Sequence, residues 1–229
     1  MTAPAARRRD KLTPKLILEG TRLTHKTDIA FALNEHPRMV GPRRYRYHSP
    51  LISGEWCAFT PWPWGRSLID YAPEEEALAL ETYATWVRLF ELQQHYSWIV
   101  DRFHLSTQAY QSAARGTDVD FRWLEGRLAP LGFHVGLFVR EPATFAAARA
   151  ERLTVSGKPE QYDDLDVFVR EQESLRELAA RSILPVREFD VSDGDVPRIC
   201  DDVADWMTAT GGLWAPGDLE GWVPEDGGG

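Results

Sequence analysis

Residues 15–34 constrain the fold more than any other stretch, because an apolar run gives way there to a polar loop and then to apolar residues at helical spacing. An apolar run at residues 16–18 is too short for a helix and is followed by Gly20 and a polar loop. From Lys26 onward, apolar residues recur at helical spacing at Ile29, Ala30, Phe31 and Leu33. The stretch therefore predicts a strand, a loop and a helix, which together form the building unit of an α/β protein.

The sequence of the loop is similar to that of a phosphate-binding loop. Gly20, four further residues, His25, Lys26 and Thr27 match Gly-x4-Gly-Lys-Ser/Thr, except that His25 replaces the second glycine. In such a loop the N–H groups and the dipole of a helix N-terminus converge on an anion, and the lysine adds a full charge. Histidine is one of the less rare non-glycine residues at positive φ, so the turn can still form. The alternative is an ordinary polar turn in which Lys26 is solvated.

Composition excludes several classes of protein. The chain has 229 residues, enough for one substantial α/β domain. Its net charge of −9 argues against a nucleic-acid partner, because neutralising many phosphates requires an excess of lysine and arginine. No apolar stretch approaches 18 residues and no signal peptide is evident, so we expect a cytoplasmic protein with no membrane partner. Cys57 and Cys200 lie among apolar neighbours and are expected to be reduced thiols.

The rest of the chain alternates between strand and helix patterns, which is typical of a parallel sheet covered on both faces. We expect one domain over residues 15–210, between a disordered arm at 1–14 and a flexible tail at 211–229. Further strands are predicted at 37–42, 97–100, 133–139 and 184–191, and further helices at 73–94, 104–113, 119–131, 144–152, 161–181 and 196–207.

Two groups of residues are candidates for ligand contacts. Asp101 and Arg102 directly follow the strand at 97–100, and ligands of parallel sheets bind at the carboxyl ends of strands, so both should lie beside the loop at 20–27. The basic stretch at 43–48 either grips an anionic or aromatic ligand or is an edge strand whose charges face water. The aromatic rings of the loop at 61–66 either wall a ligand pocket or cap the core. The ligand contacts predicted from these two stretches are Arg44, Arg46, Trp64 and Arg66.

Read together, these pieces resemble the thymidylate kinase and deoxynucleoside kinase branch of the P-loop kinases. Leu18-Glu19-Gly20 with Lys26-Thr27 is similar to the opening Glu-Gly-x-Asp-x-x-Gly-Lys-Thr of that family. Asp101-Arg102-Phe103, followed by Ser106 and Ala109-Tyr110-Gln111, is similar to its Asp-Arg-Tyr/His motif and the helix after it. Arg149 and Arg152 fall where the family carries arginines that lead into its lid.

The resemblance implies a three-layer α/β/α fold with a five-stranded parallel sheet, ATP as phosphoryl donor and Mg²⁺ as its cofactor. The acceptor would be a nucleoside, a nucleotide or a related small polar molecule, and a homodimer is compatible with the resemblance. Donor-binding positions would be Gly20, Thr21, Arg22, Thr24, His25, Lys26, Thr27 and Asp28. Catalytic positions would be Lys26, Asp101, Arg102, Arg149 and Arg152, with Thr27 and Asp101 at the metal and Ser106 and Gln111 at the acceptor.

Two alternatives stay open at this stage. Asp101 is either a general base for an alcohol acceptor or, for a phosphate acceptor, a residue that orients Arg102 or a metal-bound water. The family's loop acid is replaced by Arg22, which argues against ordinary thymidine monophosphate as the acceptor. With His25 in the loop, the rival hypothesis is a non-catalytic nucleotide-binding protein with a degenerate P-loop.

Overall fold

The computed structural model describes residues 12–40, 51–57, 59 and 65–216. Its centre is a five-stranded sheet in which every strand pair is parallel, in the order β2-β3-β1-β4-β5. The strands are β1 (Lys15–Glu19), β2 (Leu51–Ser53), β3 (Trp98–Asp101), β4 (His134–Val139) and β5 (Val186–Asp190).

Helices cover both faces of the sheet. They are α1 (Lys26–Glu35), α2 (Pro37–Val40), α3 (Glu76–Leu92), α4 (His104–Arg115), α5 (Arg122–Leu128), α6 (Phe145–Leu153), α7 (Leu165–Ala179) and α8 (Val196–Ala209). Side chains alternate along β1: Leu16 and Leu18 pack beneath α1, α2 and α8, while Ile17 packs beneath α3, α4, α5 and α7. The predicted three-layer α/β/α fold is therefore confirmed.

One predicted strand is wrong. Residues 37–40 form the short helix α2, because Pro37 at its first position has the fixed φ that suits a helix start; residues 41 and 42 lie outside the described part. The second strand is instead Leu51–Ser53, an edge strand whose three residues are all only half-buried. So short a strand lacks the alternation that identifies strands in a sequence.

The packed body extends past the expected boundaries at 15 and 210. Thr13, near the start of the described chain, donates its backbone N–H to the carbonyl of Leu213 at 2.8 Å. Leu213 and Ala215 are buried. No described helix is both long and apolar enough to cross a membrane. Three of the predicted ligand contacts, Arg44, Arg46 and Trp64, lie outside the described residues.

Candidate active site

The loop between β1 and α1 is tightly curled. Three of its residues have positive φ: Gly20 at 150°, Leu23 at 66° and His25 at 52°. His25 immediately precedes α1 and adopts the left-handed conformation that the missing glycine would normally supply. A Cβ on Gly20 would lie 2.5 Å from the carbonyl oxygen of Phe138, so the close approach of the loop to β4 requires glycine there.

The side chain of Lys26 lies inside this turn. It is 7% exposed, and its ammonium donates hydrogen bonds to the carbonyl of Thr21 and, at 3.2 Å, to Oγ1 of Thr24. Burial, helped by the positive charge of Arg102, lowers the pKa of Lys26 to about 8. The loop thus encloses a cation instead of leaving it in solvent, which excludes the ordinary polar turn with a solvated lysine.

Asp101 lies beside the loop, because Leu18 of β1 is in register with Asp101 at the end of β3. Thr27 donates its hydroxyl to Oδ2 of Asp101 at 2.8 Å. The other carboxylate oxygen, Oδ1, is buried and has no hydrogen-bond partner among the described residues. Burial, partly offset by Lys26 and Thr27, raises the pKa of Asp101.

These two side chains fit a magnesium ion. Mg²⁺ prefers oxygen ligands and is commonly held by one or two protein groups, with substrate phosphates and water completing its shell. The unpartnered Oδ1 of Asp101 and the hydroxyl of Thr27 are such groups. Within the described residues no three His, Cys, Asp or Glu side chains form a cluster that could hold a metal unaided. A metal bound here would therefore depend on phosphate oxygens.

Arg102 directly follows Asp101 and is the second cation at the loop. It has a φ of 59° and its side chain is almost completely buried. Its guanidinium donates to Glu171 Oε1 at 2.7 Å and to the Ser106 hydroxyl at 3.1 Å, and it lies 3.7 Å from Glu55 Oε2. Burial alone lowers the pKa of Arg102, but the surrounding carboxylates, foremost Glu171, outweigh it and raise the pKa above its ordinary value.

Two carboxylates at this site were missed by the sequence analysis. Glu171, on α7, also accepts the hydroxyl of Thr21 at 2.6 Å. Glu55, in the turn after β2, lies 3.3 Å from the guanidinium of Arg22. Burial raises the pKa of Glu55, but the nearby cations, foremost Arg102, outweigh it, so the pKa lies below its usual range. Neither residue has a distinguishing sequence context, since one lies in a turn-rich segment and the other on a charged helix.

Ser106 and Gln111 are occupied by internal hydrogen bonds. The hydroxyl of Ser106 is fully buried and donates to Glu19, which also accepts the backbone N–H groups of Phe103 and Leu105 where α4 begins. The amide nitrogen of Gln111 donates to the carbonyls of Ile69 and Tyr71, both at 3.1 Å. Both side chains thus hold α4 against its surroundings. Their predicted contacts with the acceptor stay predictions.

Among the described residues, three of the predicted site arginines, Arg66, Arg149 and Arg152, donate hydrogen bonds to groups outside the loop. Arg149 donates to the carbonyl of Tyr162 at 2.6 Å, and Arg152 donates to the hydroxyl of Tyr162 at 3.1 Å. Arg66 pairs with Glu75 at the start of α3. Asp28, in the first turn of α1, is exposed, and its carboxylate lies 3.6 Å from His25. The structure therefore groups Lys26, Thr27, Asp101 and Arg102 with Thr21, Thr24 and Arg22, and leaves Arg66, Arg149 and Arg152 bound elsewhere.

Comparison with known proteins adds to this geometry. No family model and no curated protein matches the sequence. The YorR protein of Bacillus subtilis, solved in complex with phosphorylated GDP, matches with a TM-score of 0.58 at 16% identity, over 86% of this chain and 96% of that chain. Thymidylate kinase from Candida albicans matches with a TM-score of 0.51 at 14% identity, over 90% of this chain and 96% of that chain.

The chain has the fold of the P-loop nucleotide kinases. At these identities the likeness is one of fold.

Proposed function

We propose that this protein is an ATP-dependent kinase that transfers the γ-phosphate to a nucleoside, a nucleotide or a related small polar acceptor. One observation carries the proposal: the buried ammonium of Lys26 lies inside a loop curled by three residues at positive φ. Beside it, Thr27 is bonded to Asp101, whose Oδ1 has no hydrogen-bond partner among the described residues. This arrangement combines an anion-binding loop with a place for a hard cation.

Catalysis of phosphoryl transfer requires mainly that the protein positions the donor and acceptor and stabilises the charge of the phosphates. In this proposal the loop N–H groups and Lys26 bind the donor phosphates, and Arg102 binds an acceptor phosphate or the transferring group. Thr27 and Asp101 would hold Mg²⁺, which neutralises phosphate charge when it is bound. Arg149 and Arg152 would have to leave Tyr162 in order to close over the transferring group.

The acceptor side of the loop is where this chain departs from the resemblance. Arg22 stands where the family carries an acid, and its guanidinium faces Glu55. If the acceptor is an alcohol, Asp101 and Glu55 are both candidate general bases; a phosphate acceptor needs no base. The cations around Glu55, foremost Arg102, lower the pKa of that carboxyl, whereas burial raises the pKa of Asp101.

A non-catalytic nucleotide-binding protein is the second candidate. The observation that favours it is that the cations needed for transfer already have partners. Arg102 is flanked by Glu171 and Glu55, and Arg149 and Arg152 both donate hydrogen bonds to Tyr162. A site in this state could bind a nucleotide without turning it over.

The test is to incubate the protein with ATP, Mg²⁺ and a panel of nucleosides, nucleotides and sugar alcohols, and to measure ADP release and ATP binding in parallel. Acceptor-dependent ADP release supports the kinase, whereas ATP binding without turnover on any acceptor favours the second candidate. Lys26→Ala should abolish both transfer and tight binding. Arg176→Ala, which removes a surface pair with Glu188, is the matched control and should leave both unchanged. A homodimer also stays a prediction, to be tested by light scattering of the purified protein.

A further inference from the structure

Arg140 is a buried cation that contacts the loop from the end of β4. It immediately follows β4 and is 3% exposed. Its backbone is fixed by Gln172 of α7, which accepts the Arg140 N–H at 2.8 Å and donates to the Arg140 carbonyl at 3.0 Å. The position of the side chain is therefore set by two elements of the core.

The guanidinium of Arg140 contacts only neutral oxygens among the described residues. It donates to the carbonyl of Leu23 at 2.9 Å, to the carbonyl of Ser192 at 3.2 Å and to the hydroxyl of Thr144 at 3.4 Å. No described carboxylate forms a direct ion pair with it, and those of Glu151, Asp190 and Asp193 act on its charge only from farther away. Buried arginines are almost always paired with an acid, because an unpaired charge loses its hydration without compensation. Keeping such a cation beside the loop therefore calls for a reason.

Leu23, whose carbonyl Arg140 binds, is in an unfavourable conformation. Its φ of 66° belongs to the left-handed region, which branched side chains rarely adopt. Such residues persist only where the surroundings over-determine them. Here the side chain of Leu23 packs against the cluster of Phe145, Tyr162 and Phe168, while Arg140 fixes the carbonyl. The loop is thus held from both the side chain and the backbone of one residue.

We infer that Arg140 is a positioning residue of the phosphate-binding loop: it fixes the carbonyl of Leu23, and so keeps the non-glycine turn of Leu23 and His25 in the shape that binds a polyphosphate. This inference rests on the proposed function for the identity of the ligand. The mechanical part, the coupling of Arg140 to the backbone of Leu23, does not.

The experiment is a double-mutant cycle with Arg140→Met and Leu23→Gly, using MgATP as the probe. Glycine adopts positive φ freely, so a loop with Gly at position 23 no longer needs its carbonyl held. Arg140→Met should raise the Kd for MgATP about tenfold in the natural sequence, the effect of one charge-assisted hydrogen bond, and clearly less in the Leu23→Gly background. Arg127→Met, which removes a surface pair with Glu91, is the matched control and should not change the Kd.

Three results would overturn the inference. They are an unchanged Kd in Arg140→Met, an equal loss in both backgrounds, and an Arg140→Lys variant that binds like the natural protein although it cannot make the same three bonds. If Arg140→Met does not fold, Arg140→Lys takes its place in the cycle. If the natural protein itself does not bind MgATP, the proposed function fails. In that case the Tm of the same variants is measured by thermal unfolding without ligand. Coupling between Arg140 and Leu23 predicts that the Tm shift of the double variant differs from the sum of the two single shifts by about 2–4 °C. Additive Tm shifts would overturn the inference.

Discussion

Gly20→Ala tests the path of the loop against β4. Gly20 has a φ of 150°, and a Cβ there would lie 2.5 Å from the carbonyl oxygen of Phe138, 3.1 Å from Thr24 Oγ1 and 3.4 Å from Cδ of Lys26. The first of these atoms belongs to the backbone of a buried strand that is paired on both sides. It cannot move without disturbing the sheet, so the loop has to shift instead.

The expected loss in the free energy of unfolding is the sum of two costs. A non-glycine residue in this region of φ costs about 1–3 kcal/mol, and a steric overlap in a packed interior costs a further 1–3 kcal/mol or so. The sum of about 2–6 kcal/mol corresponds to a fall in Tm of roughly 4–24 °C for a chain of this size. Because the displaced loop also carries Lys26, ATP binding should be lost at temperatures where the variant is still folded.

The assay is thermal and urea unfolding followed by circular dichroism, with Gly126→Ala as the matched control. Gly126 lies in α5, and a Cβ there would have nothing within 4 Å. Alanine is a better helix former than glycine by about 0.8–1 kcal/mol, so the same substitution should raise Tm at this position by roughly 2–4 °C. A Gly20→Ala protein within about 0.5 kcal/mol of the natural protein, the range of ordinary surface substitutions, would refute the loop geometry.

Three further predictions concern the charged residues of the site. Since the pKa of Lys26 is lowered to about 8, its charge is present below that pH and lost above it, so ATP affinity should fall as pH rises through 8. Lys26→Arg, which stays charged, should flatten the dependence of ATP affinity on pH. The same pH dependence in the variant and the natural protein would argue against Lys26 as the phosphate ligand. Asp101→Asn should lower kcat at least about a hundredfold and weaken the dependence on Mg²⁺; normal magnesium titration would place the metal elsewhere. Arg149→Ala and Arg152→Ala should each lower kcat at least about tenfold with little change in Tm, and unchanged kcat in both would remove them from the site.

Much of the fold could be predicted because it depends on neighbours in the sequence. A short apolar run, a glycine and an amphipathic segment specify strand, loop and helix locally, and their repetition predicts a parallel sheet. The rule for strand ends then predicts that Asp101 lies beside the loop, as the register of β1 with β3 confirms. The edge strand Leu51–Ser53 was missed because three half-buried residues carry no pattern.

The sequence by itself determined that this chain forms an α/β sheet with a cationic, threonine-bearing turn after its first strand. Only the tertiary structure decided that His25 takes the conformation of the missing glycine and that Glu55 faces Arg22. It also brought Arg140 to the carbonyl of Leu23, across 117 positions of the chain. The reason is physical: backbone preferences are set by adjacent residues, whereas the partner of a buried charge is set by how distant helices and loops dock on the sheet.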